Sequence, residues 1–86
     1  MRFTSDQIRL LREQGTSWPD IFRKIMSGMH PESRTYVHLF SELIRVCKID
    51  GALLNTLQRW NYWFKETGYD DKELERILDG KIFLKD

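Results

Sequence analysis

Residues 15–26 read "GTSWPDIFRKIM", and this stretch decides what kind of fold the chain can make. Gly15 stops the helix before it, because glycine takes the positive φ of a helix C-terminus at little cost. Ser17 or Trp18 opens a new helix with Pro19 in its first turn, where a missing N–H does no harm. From Trp18 the apolar residues Ile21, Phe22, Ile25, Met26 and Met29 follow at offsets of 3, 4, 7, 8 and 11, the spacing of one helix face. Arg23 and Lys24 fall off that stripe. A stop, a cap and a helical stripe in direct succession predict two helices joined by a short turn.

Upstream, Thr4 and Gln7 match a capping box, and Phe3 is placed to staple onto Ile8. Ile8 and Leu11 form the inward face of this first helix, with Leu10 at its margin. The phrase "FTSDQIRLLREQGTSWPDIFRKI", residues 3–25, resembles the first two helices of helix-turn-helix domains. That resemblance implies DNA binding, with the helix after a tight turn set into the major groove. Here the connection after Ile25 runs on to Pro31. An alternative assignment makes residues 15–17 the tight turn and the second helix the reader, with Asp20, Arg23 and Lys24 outward; an acid at its front would repel phosphate.

Downstream, "SGMHPES" breaks the pattern, and a third helix is expected over residues 31–48. Its apolar face is Tyr36, Val37, Phe40, Leu43, Ile44 and Cys47, widened by Leu39 and Val46. Arg34, His38, Ser41 and Arg45 form the opposite stripe. As a DNA reader this stripe offers Arg34 to guanine, His38 to a neighbouring edge, Ser41 as a minor contact and Arg45 to a phosphate; otherwise it is a solvated face. Asp50 is the expected cap of a fourth helix with Leu53, Leu57, Trp60 and Phe64 inward, ended by Gly68. Asp70 caps a fifth with Leu74, Ile77 and Leu78 inward, closed by Gly80, and Asp71 and Glu73 suit its positive end. Ile82, Phe83 and Leu84 make an extended apolar tail.

The expected fold class is therefore all-α: a single compact bundle of about five short helices, with residues 1–86 as one domain. A chain of 86 residues removes only about 60% of its unfolded surface from water, so its core depends on large side chains. Three Trp, three Tyr and five Phe supply them. The net charge of +1 hides an asymmetry, since residues 1–49 carry eight Lys/Arg against five Asp/Glu and residues 50–86 carry six against eight. This balance permits nucleic-acid binding without demanding it. The lone Cys47 excludes an intrachain disulfide. With no leader and no long apolar run, the expectation is a cytoplasmic protein without membrane insertion.

The residues carry no catalytic signature. His30, His38 and Cys47 have none of the paired spacing that holds zinc, so His30 is expected in the turn before Pro31 and Cys47 in the core. The acids Asp70, Asp71, Glu73, Glu75 and Asp79 lack the order of a calcium loop. The five glycines are scattered helix punctuation, not a phosphate loop. No enzyme, metal or cofactor is expected. The segment "RWNYWFK" instead puts Arg59, Tyr62 and Trp63 on one outer surface of the fourth helix, and these residue types are enriched at binding hot spots. The leading expectation is a small regulatory or inhibitory protein, of the kind a phage encodes, that binds a protein partner or itself through Arg59, Tyr62 and Trp63. The alternative is the helix-turn-helix-like DNA binder using Arg34, His38, Ser41 and Arg45.

Overall fold

Thr4 and Gln7 close the reciprocal capping box that starts the first helix. The Thr4 hydroxyl accepts the Gln7 N–H at 3.2 Å and the Gln7 carboxamide accepts the Thr4 N–H at 2.9 Å, which satisfies two amides that no helical carbonyl can reach. In the computed structural model, which describes residues 3–60 and 68–85, this cap leads into α1 (Ser5–Glu13). Gly15 has φ +85°, and the chain turns into α2 (Trp18–Ser27), capped by Ser17. The first link is therefore the tight one. The second is longer: a 3-10 turn over Pro31–Ser33 precedes α3 (Tyr36–Val46). Then come β1 (Cys47–Lys48), α4 (Ala52–Gln58), α5 (Asp71–Leu78) and β2 (Phe83–Leu84).

The fold is mostly helical, as the periodicities predict, with one addition. β1 and β2 pair antiparallel, with Cys47 opposite Leu84 and Lys48 opposite Phe83. The expected helix over residues 31–48 is shorter at both ends. Pro31 starts only a 3-10 turn, and the Thr35 hydroxyl captures the His38 N–H at 3.2 Å, so the α-helix begins after Thr35. At the other end Cys47 is extended, at φ −128° and ψ 152°, and joins the ribbon.

The core joins α2, α3, α4 and α5. Ile8, Trp18, Ile21, Phe22, Ile25 and Met26 are buried from the first half of the chain. Leu39, Leu43, Val46, Leu53, Leu57, Trp60, Leu74, Leu78 and Ile82 are buried from the second. α2 packs on α5 and α3 on α4. Trp18, Phe22 and Trp60 form an aromatic chain through the middle, with ring centroids 6.0 and 5.7 Å apart. Each such ring is worth several kcal/mol in burial, roughly 3 to 5 kcal/mol when truncated to alanine.

Two faces differ from expectation. On α3 the buried arc is Leu39, Leu43 and Val46, with Tyr36 and Phe40 at its edge, while Val37 and Ile44 are exposed. The helix is rotated toward the side that Leu39 and Val46 extend, because that arc meets α2 and α4. The second difference is the length of α4, which stops at Gln58 with Arg59 as its C-cap. Trp60 is buried from a bridge to Tyr69, not from a helix.

Candidate functional site

Arg59 stands where α4 ends. Its carbonyl accepts the Tyr69 N–H at 2.6 Å, and its guanidinium carbon lies 5.0 Å from the centre of the Tyr69 ring. Next to it Trp60 is anchored at both ends. The Trp60 carbonyl accepts the Tyr36 hydroxyl at 2.7 Å, and the indole N–H donates to Asp71 Oδ1 at 3.0 Å. Arg59 is thus an exposed cation held against an aromatic face, on a backbone fixed by a buried tryptophan. Tyr62 and Trp63, and the expected core residue Phe64, lie outside the described residues.

The backbone at Gly68 also comes close to Arg59. Gly68 has φ +104°, and a Cβ there would sit 2.0 Å from the Arg59 carbonyl oxygen. Only glycine lets the two backbones approach so nearly.

The four residues read as a base-contacting stripe do not share one helix face. Arg34 precedes α3, in the connection, and folds back onto α2. Its Nε donates to the Met26 carbonyl at 3.0 Å and its Nη2 to the Ser27 carbonyl at 3.3 Å, satisfying acceptors at the helix C-terminus. Arg45 donates to Glu42 Oε2 at 2.9 Å and to the Phe3 carbonyl, joining α3 to the segment before α1. His38 is exposed, its Nδ1 lying 2.7 Å from the Thr35 hydroxyl, and Ser41 is exposed. Both arginines therefore hold the fold's own acceptors. Sequence spacing alone does not register the bonds to the Met26, Ser27 and Phe3 carbonyls, because those acceptors belong to other elements of the fold.

Among the described residues no group of three His, Cys, Asp or Glu side chains converges as a metal site. His30 Nδ1 accepts the Glu32 N–H at 3.3 Å, in the turn before α3. Cys47 is buried, and burial pushes its thiol up to about 11, so it is neither a thiolate nor a nucleophile at neutral pH. An open hollow of about 420 Å³ is lined by Ser17, Asp71, Lys72, Glu75, Arg76 and Asp79, but Asp71 is held by Arg23 and Glu75 by Arg12. No helix among the described residues is long and apolar enough to cross a membrane.

The feature missed by periodicity is apolar. Val37, Ile44 and Phe83 are 54, 41 and 59% exposed, and Leu10 is 54% exposed. For Val37 and Ile44 the signal is the width of the apolar arc on the third helix: eight apolar residues among 36–47 are more than one face of a helix can bury. Comparison with protein-family models, with curated proteins and with solved structures finds no match to this chain.

Proposed function

We propose that this chain is a small non-enzymatic regulatory or inhibitory protein that works by binding another protein, with Arg59 at the described edge of the contact surface and Tyr62 and Trp63 as its aromatic members. The single observation that carries the reading is the seat of Arg59. An exposed guanidinium stacked at 5.0 Å over Tyr69 has lost side-chain freedom before any partner arrives, and such preorganisation is what makes arginine an effective anchor. We assign it to the cytoplasm, where the lone buried thiol needs no oxidising partner, and its size suits an inhibitor encoded by a phage.

The test is co-purification of partners from host extract with the intact chain and with a folded Arg59→Ala/Tyr62→Ala/Trp63→Ala variant. The reading expects a protein recovered by the first and lost by the second. Equal recovery by both removes it.

A helix-turn-helix-like DNA binder is the second reading, favoured by the tight link between α1 and α2. It requires Arg34 and Arg45 to exchange the carbonyls and carboxylate they now hold for phosphate or base edges. It expects affinity for duplex DNA that falls steeply with salt, and the absence of binding at low salt disposes of it.

A further inference from the structure

Three of the four large apolar side chains exposed among the described residues lie on α3 and on the ribbon that follows it. Val37 and Ile44 are seven residues apart on α3, two turns or about 10.5 Å along the axis, with Ser41 exposed between them. The ribbon follows directly after α3. Lys48 follows in β1 directly opposite Phe83, and the Lys85 ammonium donates to the Ile44 carbonyl at 2.7 Å. One residue past β2, the Lys85 N–H donates to the Val46 carbonyl at 2.8 Å, so this end of the chain is held against the end of α3. Val37 and Ile44 thus lie on one side of α3, Lys85 reaches the last turn of that helix, Lys48 and Phe83 pair in the ribbon that follows it, and half-buried Phe40 packs against the core.

Two cations edge this surface, and the described acids near them are engaged within the fold. Lys48 and Lys85 are both exposed, and Lys85 spends one of its three donors on Ile44. Glu42, the acid on the same helix, is held by Arg45 at 2.9 Å. Asp50 is turned to cap Ala52, accepting its N–H at 2.9 Å, and Asp86 lies outside the described residues. An apolar strip edged by two lysines complements apolar side chains edged by carboxylates. A nucleic-acid backbone would use the lysines and leave Val37, Ile44 and Phe83 wet, so it fits less well.

We infer that the α3–β2 face docks an acidic amphipathic segment of a partner protein, seating its apolar side chains on Val37, Ile44 and Phe83 and its carboxylates beside Lys48 and Lys85. This surface is separate from the Arg59 contact and stands without it.

The probes are two synthetic peptides that share leucines at helical spacing and carry Glu in one and Lys in the other at every polar position. Binding to the full chain is read residue by residue from amide chemical shifts. The acidic peptide is expected to move the amides of Val37, Ser41, Ile44, Lys48, Phe83 and Lys85. Ile44→Ser/Phe83→Ser is expected to weaken it at least about tenfold, and Lys48→Glu to weaken it while improving the basic peptide. Because the substituted apolar side chains are exposed, the variants keep the parent's circular dichroism and melting curve. Arg59→Ala leaves all of these shifts unchanged, which separates this face from the proposed partner site. The inference is overturned if the acidic peptide moves none of these amides or if both peptides bind alike. It is also overturned if only duplex DNA or phosphatidylserine vesicles perturb the face.

Discussion

Glu75 Oε1 accepts the backbone N–H of Trp18 at 2.7 Å, across 57 residues of chain. The same carboxylate takes Arg12 Nη1 at 3.0 Å, and the Arg12 guanidinium lies 4.7 Å from the Trp18 ring centre. One side chain of α5 thus caps α2 and clamps α1. A charge-assisted bond to a helix N-terminus is worth roughly 1.5 to 3 kcal/mol. The Arg12–Glu75 ion pair, each side chain about a third exposed, is worth at most about 1 kcal/mol. Glu75→Ala is therefore expected to lower unfolding stability by about 2 kcal/mol and Arg12→Ala by less than half of that. Urea denaturation of the two single variants and the double variant measures both terms; equal losses would show that the ion pair, not the cap, holds α2.

Trp60 carries the next expectation. Its ring is buried against Phe22, and its N–H meets Asp71, which Arg23 grips through two bonds of 2.8 Å. The pairing raises the affinity of Arg23 for its proton, as expected for a cation beside a carboxylate. Trp60→Ala removes the ring and leaves Asp71 one donor short, at a cost of about 3 to 5 kcal/mol. That is a large share of the roughly 4 to 13 kcal/mol available to a chain of this size. Trp60→Phe keeps most of the burial and loses chiefly the hydrogen bond, about 1 to 2 kcal/mol. Thermal melts should rank parent, Phe variant and Ala variant in that order, with the Ala variant largely unfolded at physiological temperature.

Much of this framework is legible in the sequence, because caps are local. Thr4 with Gln7, Ser17 before Trp18, and Asp70 before α5 each meet a partner three residues away, within the reach of a motif. Pro31 suits the first turn of a 3-10 or an α-helix equally, so only the rival cap Thr35 decides where α3 begins. The wheel of the third helix holds apolar residues over more than half its circumference, and periodicity cannot choose which arc turns inward. The spacing of Leu53, Leu57, Trp60 and Phe64 continues past Gln58, whereas the backbone at Arg59 and Trp60 turns to pair with Tyr69. Glu75 with Trp18 and Arg23 with Asp71 join residues too far apart in the chain for any local pattern to register. For the same reason the sequence shows the cations at Arg34 and Arg45 but not the carbonyls that occupy them.

Gly68 and Gly15 offer a matched comparison. Both have positive φ, +104° and +85°, but the space where a Cβ would stand is open at Gly15 and blocked by the Arg59 carbonyl at Gly68. Gly15→Ala therefore costs only the left-handed backbone term, about 1 to 2 kcal/mol. Gly68→Ala adds a clash with backbone that no rotamer can relieve, and must separate Arg59 from Tyr69. It is expected to destabilise more than Gly15→Ala and to move the amide resonances of Arg59, Trp60 and Tyr69. Equal stability losses in the two variants would mean that the close approach has no energetic weight.

Cys47 sets the behaviour of the fold in alkali. Burial raises its thiol from 9.0 to about 11, with the nearby Lys85 cation acting the other way. The unfolded chain thus loses this proton at lower pH than the folded one, and between those values the folded state binds more protons. Stability then falls as pH rises. The contribution is intact below about pH 9 and is lost as the pH climbs toward 11. Cys47→Ala, which has no proton to lose there, is expected to be less stable than the parent at pH 7 because of the cavity, yet to show a shallower decline from pH 9 to 11. At pH 7.5 the native thiol should resist an aromatic disulfide reagent until denaturant is added. Rapid labelling of the native protein would place the thiol in water and remove the basis of the alkaline loss.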